Sequence, residues 1–241
     1  MLASIYADVD VILLDIEGTV CPITFVHDIL FPYALSKLPQ YLKRHWDSDE
    51  FASYRNAFPE KYKSDPIAFE GHVRDLVSRD VKASYLKALQ GLLWQAGYSS
   101  GELQAPLFPD VCPFILSTHA AGKKIIIYSS GSVEAQRLFF SHTTADPSDL
   151  TPYITAWFDT VNAGPKQESE SYKNIIASFD HIAASRWLFL SDNLAEVYAA
   201  LRSGMRSLPV TRPGNSPLPE NDNLSALAIS DFSLQSEGRL K

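Results

Sequence analysis

Apolar runs bounded by polar residues recur along the chain, and Val11-Ile12-Leu13-Leu14 is followed at once by Asp15-Ile16-Glu17-Gly18-Thr19. Four consecutive aliphatic residues predict a strand covered on both faces, as in a parallel sheet between helix layers. A core strand has no packing reason to end in two acids. Ligands of open α/β sheets bind outside the carboxyl ends of the strands, so Asp15 and Glu17 become candidate site residues.

After Thr19 the period changes to that of a helix. Ile29, Leu30, Tyr33, Ala34, Leu38, Tyr41 and Leu42 predict a helix over residues 26–46, bent or broken at Pro32 or Pro39. Asp47-Ser48-Asp49 can cap a helix over 50–58, and Ser64-Asp65-Pro66 one over 67–82. A fourth helix is expected over 84–96, closed by Gly97. Residues 21–106 therefore read as a small helical domain, set between 1–20 and 107–241.

From Leu107 strands and helices alternate. A helix over 111–121 precedes a buried strand, Lys124 to Tyr128, which ends in Ser129-Ser130-Gly131-Ser132. A helix over 133–140, a short strand over 157–161, the loop Gly164-Pro165-Lys166 and a helix over 169–179 follow. Trp187 to Leu190 is a further buried strand, ending in Ser191-Asp192. A helix over 194–202, a last strand over 206–211, a Pro-rich loop and a polar tail complete the chain. This alternation predicts the α/β class with right-handed parallel connections.

Charge and composition narrow the function. The net charge is −7 with no basic stripe, which speaks against binding to a nucleic-acid backbone. Two cysteines, Cys21 and Cys112, are too few for a disulfide framework or zinc site and fit a reducing compartment. No secretory leader is evident at the start, and no apolar run approaches the roughly 18 residues of a membrane span. A soluble, unexported protein without membrane partners is expected. The histidines, His27 and His72 among them, show no metal-ligand spacing.

Taken singly, the polar residues at the strand ends have ordinary explanations. Ser129 suits a turn or helix cap, Lys166 a solvated loop, and Asp192 the cap of the next helix. Asp15 is harder to dismiss, because a buried acid needs a partner. Together, Asp15, Ser129 with Ser130, Lys166 and Asp192 stand in the order of the four motifs of the haloacid dehalogenase superfamily, which the chain resembles. The resemblance implies a Rossmannoid core with a parallel sheet and an inserted helical cap domain. It also implies one Mg2+ per subunit, held by Asp15, Asp192 and the backbone carbonyl of Glu17. Asp15 would be the phosphoryl-accepting nucleophile, Lys166 would offset charge, and Ser129 and Ser130 would hold substrate. Glu17 stands where most phosphatases of the superfamily carry Asp as general acid and base. Dehalogenases lack an acid there, so halide chemistry is disfavoured.

Longer runs are more specific. Asp-Ile-Glu-Gly-Thr continuing as Val20-Cys21-Pro22-Ile23-Thr24-Phe25, then Gln90-Gly91-Leu92-Leu93-Trp94, Leu107-Phe108-Pro109-Asp110 and Arg212-Pro213-Gly214-Asn215, resemble the enolase-phosphatase family of methionine salvage. Ala195 and Tyr198 depart from it, standing at positions often acidic, whereas Glu196 is kept. The resemblance implies a small phosphate ester as substrate, 2,3-diketo-5-methylthiopentyl 1-phosphate, enolised and then dephosphorylated. It implies a monomer in the cytoplasm, with the nucleus as a second location. Trp94, Phe25 and Phe31 are candidates to meet the methylthio group, although packing inside the cap is the commoner role for each. Cys21 reads as a small packed thiol. The base that takes the C1 proton stays open, with Glu17 the first to test. A sugar-phosphate or phosphoglycolate-type phosphatase, a phosphomutase and a catalytically silent interaction protein remain alternatives.

Overall fold

The computed structural model describes residues 2–234; Met1 and residues 235–241, the end of the polar tail, lie outside the described residues. The chain divides into two compact units, Val26–Leu103 and the remainder, Met1–Phe25 with Gln104–Lys241. Among the described residues no helix is long and apolar enough to cross a membrane. The second unit opens with α1 (Leu2–Ala7) and β1 (Val11–Leu14). At six residues, α1 is too short to show a helical period, and the sequence pattern did not predict it.

The helical unit contains α2 (Phe31–His45), α3 (Asp49–Asn56), α4 (Pro66–Ser78) and α5 (Ser84–Ser100), with a π-helical turn, Phe25–Leu30, leading into α2. Neither proline breaks α2. Pro32 sits in its first turn, where no amide donor is needed. Pro39 lies inside, and the carbonyl it leaves without a donor four residues earlier, Leu35 O, accepts from Arg74 Nη2 at 3.2 Å. Ser48 and Asp65 cap α3 and α4 by accepting from Phe51 N and Ile67 N. The fourth helix does not stop at Gly97; it runs on to Ser100, and Gly101, at φ +76°, ends it. Gly97 is instead a point of close approach, since a Cβ there would stand 2.5 Å from the Tyr33 ring. Trp94 and Phe31 stack on each other, and the indole donates to Leu30 O at 2.8 Å.

The α/β unit continues with α6 (Val111–Ala120), β2 (Lys124–Tyr128), α7 (Val133–Ser141), β3 (Ala156–Phe158), α8 (Ser169–Ala177), β4 (Trp187–Ser191), α9 (Leu194–Arg202) and β5 (Arg206–Pro209). All strand pairs are parallel, in the order β3-β2-β1-β4-β5. Every residue of β1 and β4 is buried, as continuous apolar runs require. The third strand ends at Phe158, short of the predicted range, and Val161 lies exposed beyond it. Phe25 packs edge-on against Phe139. Because β2 and β3 lie on one side of β1 and β4 and β5 on the other, the strand order reverses at β1, and a crevice opens at its carboxyl end. Leu14 pairs with Ile127 and Leu190, so Asp15, Tyr128 and Ser191 stand level just past it.

Candidate active site

Asp15 leaves β1 with its carboxylate buried and held by three groups. Lys166 Nζ lies 2.5 Å from Oδ1, which also accepts from Ile16 N at 2.7 Å. Ser191 Oγ lies 3.2 Å from Oδ2. Lys166 also pairs with Glu196 on α9, at 2.7 Å, and the Ser191 hydroxyl stands 2.9 Å from the same Glu196 oxygen. Burial opposes the charge on Lys166, yet Asp15 and Glu196 together outweigh it and hold the ammonium protonated well above its ordinary range. Glu196 itself is pushed up, by burial first and by Asp15 next. The cluster thus has one buried cation between two buried acids, an arrangement that carries negative charge into the crevice.

The lysine's loop is fixed by a row of hydroxyls. Tyr128 Oη donates to Gly164 O, Ser171 Oγ to Pro165 O and Tyr172 Oη to Lys166 O, each at 2.7 Å. Three successive carbonyls are thereby satisfied by side chains of β2 and α8, and the ammonium has little freedom to leave Asp15. Tyr128, Ser171, Tyr172 and Ser191 were not singled out from sequence, since a hydroxyl inside or beside an apolar run reads as packing. From sequence, Glu196 reads only as an acid kept in the family pattern.

The turn after β1 carries Glu17, half-buried, and Gly18 at φ +69°. A Cβ on Gly18 would stand 2.3 Å from Asp192 Oδ2, so only glycine lets the turn come this close to the acid after β4. Thr19 Oγ1 accepts from Asp192 N at 3.0 Å. The loop after β5 grips the same turn. Arg212 donates to Thr19 O at 2.9 Å and pairs with Asp110 through both terminal nitrogens, at 2.9 and 2.8 Å, while Asn215 Nδ2 donates to Gly18 O at 2.8 Å. Burial, then the charges on Asp15 and Glu196, push Asp192 up to about 7. Burial and the Glu17, Asp15 and Asp192 carboxylates push the Cys21 thiol well above its ordinary range, which removes it as a nucleophile.

This donor chemistry fits a hard divalent cation. Among the described residues no three His, Cys, Asp or Glu side chains form a ready cage. Two carboxylates with backbone carbonyls and water are nonetheless what magnesium takes, and the crowding that raises Asp192 is what a cation relieves. On the other side of β1, Ser129 is buried and its Oγ accepts from Gly131 N at 3.2 Å, leaving the hydroxyl proton to donate elsewhere. Ser130 is exposed at the same loop. Gln136 Nε2 braces that loop, reaching Gly131 O and Phe158 O at 2.8 Å each. Asp15 and Lys166 are in direct contact, Asp192 lies beside the Gly18 turn, and Ser129 stands across the crevice just past the end of β2.

A parallel sheet of this order, with an aspartate after its central strand, a lysine bound to it and an acid after the neighbouring strand, is the arrangement of the haloacid dehalogenase fold. CbbY of Rhodobacter sphaeroides, 16% identical, shares that fold with a TM-score of 0.58 over 93% of this chain and 95% of its own. No family model matches. Enolase-phosphatase E1 of Fusarium vanettenii is 61% identical over 227 residues, 94% of this chain and 95% of that protein. The Verticillium alfalfae enolase-phosphatase E1 is 62% identical over 94% of this chain and 89% of its own. The crystal structure of the UTR4 protein of Saccharomyces cerevisiae, 37% identical, matches with a TM-score of 0.82 over 93% and 98% of the two chains. The chain belongs to the enolase-phosphatase E1 family, and is a phosphatase among the hydrolases.

Proposed function

We propose that the protein converts 2,3-diketo-5-methylthiopentyl 1-phosphate to the acireductone 1,2-dihydroxy-3-keto-5-methylthiopentene and phosphate, a step of methionine salvage, with Asp15 as phosphoryl acceptor. The observation that carries the reading is Lys166 Nζ, 2.5 Å from Asp15 at the carboxyl end of β1, in a chain 61% identical to an enolase-phosphatase E1.

A base takes the C1 proton, the C1–H electron pair forms the C1–C2 double bond, and the C2 carbonyl oxygen takes up a proton, which turns the alkyl phosphate into an enol phosphate with a better leaving oxygen. An Asp15 oxygen then bonds to phosphorus as the P–O bond to the substrate breaks, and Glu17 gives its proton to the departing oxygen. Glu17 next takes a proton from water, whose oxygen attacks the phospho-aspartate, releasing phosphate and restoring Asp15. Contacts from Lys166, Ile16 N and Ser191 fix the carboxylate before attack, so little orientational freedom is lost at the barrier. Ser129 and Ser130 donate to the phosphoryl oxygens, and Lys166 offsets their charge. Asp15, Asp192 and the Glu17 carbonyl would hold one Mg2+, which supplies charge neutralisation at the transferring phosphoryl group. Residues 26–103 serve as the cap in this reading, and the protein acts as a cytoplasmic monomer.

Ultraviolet absorbance of the enol products and phosphate release, followed together on the diketo phosphate, test the scheme. Asp15→Asn should fold and release no phosphate. Glu17→Gln should keep enolisation and lose dephosphorylation. Full phosphate release by a folded Asp15→Asn protein would reject the scheme.

A further inference from the structure

Asn215 shows a feature that the scheme above does not use. Its Nδ2 donates to Gly18 O at 2.8 Å. A carbonyl oxygen can only accept, so this bond fixes which end of the amide faces the turn and directs Oδ1 the other way. Oδ1 is buried and has no hydrogen-bond partner among the described residues. Its surroundings say what it could serve. The point where a Cβ on Gly18 would stand lies 3.2 Å from Asn215 Oδ1 and 2.3 Å from Asp192 Oδ2. An amide oxygen and a carboxylate oxygen therefore border the same small space, beside the turn that carries the Glu17 carbonyl. Two acceptors sharing a space call for a donor or a cation near both.

The loop that presents Asn215 is tied down by the chain's own contacts. Arg212, buried, is tied to Asp110, Thr19 O and Ser230 O, and its guanidinium lies over the rings of Phe108 and Phe232. Asn215 N bonds back to Arg212 O at 3.0 Å. The unpartnered oxygen is thus held in place by the fold and is not a side chain at liberty to turn to solvent.

We propose that Asn215 is an outer-sphere ligand of the magnesium site: Oδ1 accepts from a water carried by the ion, while Nδ2 keeps the Gly18 turn in register. This inference rests on the magnesium reading above. Magnesium keeps several of its waters when protein-bound, and the partners of those waters tune affinity as the direct ligands do.

The test is calorimetric titration of MgCl2 into the metal-stripped, full-length protein, with thermal midpoints recorded in EDTA. Asn215→Leu removes both ends of the amide and should weaken magnesium binding by about 10-fold or more, the usual effect of losing a metal site's outer partner. Asn215→Asp keeps an acceptor towards Asp192 and loses the donor to Gly18 O. It should lower the midpoint in EDTA yet bind magnesium at least as tightly as the wild type. A purely structural role would instead weaken magnesium binding in both variants alongside the midpoint, and that result overturns the inference, as does unchanged affinity in Asn215→Leu. Failure of the wild type itself to bind magnesium would overturn the metal reading first and this inference with it.

Discussion

Asp192 gives a prediction in which function and stability oppose each other. Its carboxyl is moved from an ordinary 3.8 to about 7, by burial first and then by the charges on Asp15 and Glu196. Between these values the unfolded chain has lost the proton and the folded protein still holds it. Folding therefore takes up a proton, and stability falls as pH rises from 3.8 to 7. A move of that size corresponds to a ceiling of about 4 kcal/mol. Asp192 is partly exposed, and solvent screening reduces the effect to roughly 2 kcal/mol. Asp192→Asn removes the ionisation while keeping the backbone bond to Thr19 Oγ1. In EDTA at pH 8 the variant should melt about 4–8 °C above the wild type, by the usual scaling for a chain of this length. At pH 4, where folded wild type is neutral at this position, the gain should vanish. Added MgCl2 should raise the wild-type midpoint and leave the variant's nearly unmoved, with phosphate release lost. Equal midpoints at pH 8, or the same gain at pH 4 as at pH 8, would refute the charge argument.

Two further substitutions test the packing of the site and of the helical unit. Lys166→Met leaves Asp15 and Glu196 buried without their cation, and urea denaturation at pH 7.5 should show a loss of about 3–5 kcal/mol. That loss should shrink as pH falls and Glu196, pushed up by burial and by the Asp15 charge, takes up its proton. Gly97→Ala would favour the helix by intrinsic propensity, yet its Cβ meets the Tyr33 ring, whose hydroxyl is tied to Glu102 at 2.7 Å. A net destabilisation of about 1 kcal/mol is expected, restored by Gly97→Ala combined with Tyr33→Leu.

The parts of the fold that apolar runs encode were legible. Strands β1, β2 and β4 are near-continuous aliphatic or aromatic segments, and a run of that kind has few other uses. Helix ends were read less well where a residue had two possible jobs. Gly97 looks like a stop in one dimension, and only the ring of Tyr33, far away in sequence, shows that it is there for space. Pro39 looks like a break, and only Arg74, reaching from another helix to Leu35 O, explains why the helix continues. The same limit applies to the site. Acids and a lysine at strand ends attract notice because their charge is out of place, and these groups are in contact or close by. The hydroxyls and amides that orient them, Ser191, Thr19, Tyr172, Gln136 and Asn215, are unremarkable letters whose roles depend on partners up to 197 residues away.

The three hydroxyls on the Lys166 loop also bear on how the protein meets alkali. Burial pushes Tyr128 up to about 12, and burial with the nearby Glu196 charge carries Tyr172 higher still. Both phenols therefore keep the protons they donate to Gly164 O and Lys166 O throughout the pH range in which enzymes are normally assayed. The ammonium, held by two carboxylates, keeps its own. Nothing in this loop acts as a basic-side switch. A fall in rate between pH 8 and 10 would therefore not come from these two phenols or from the Lys166 ammonium.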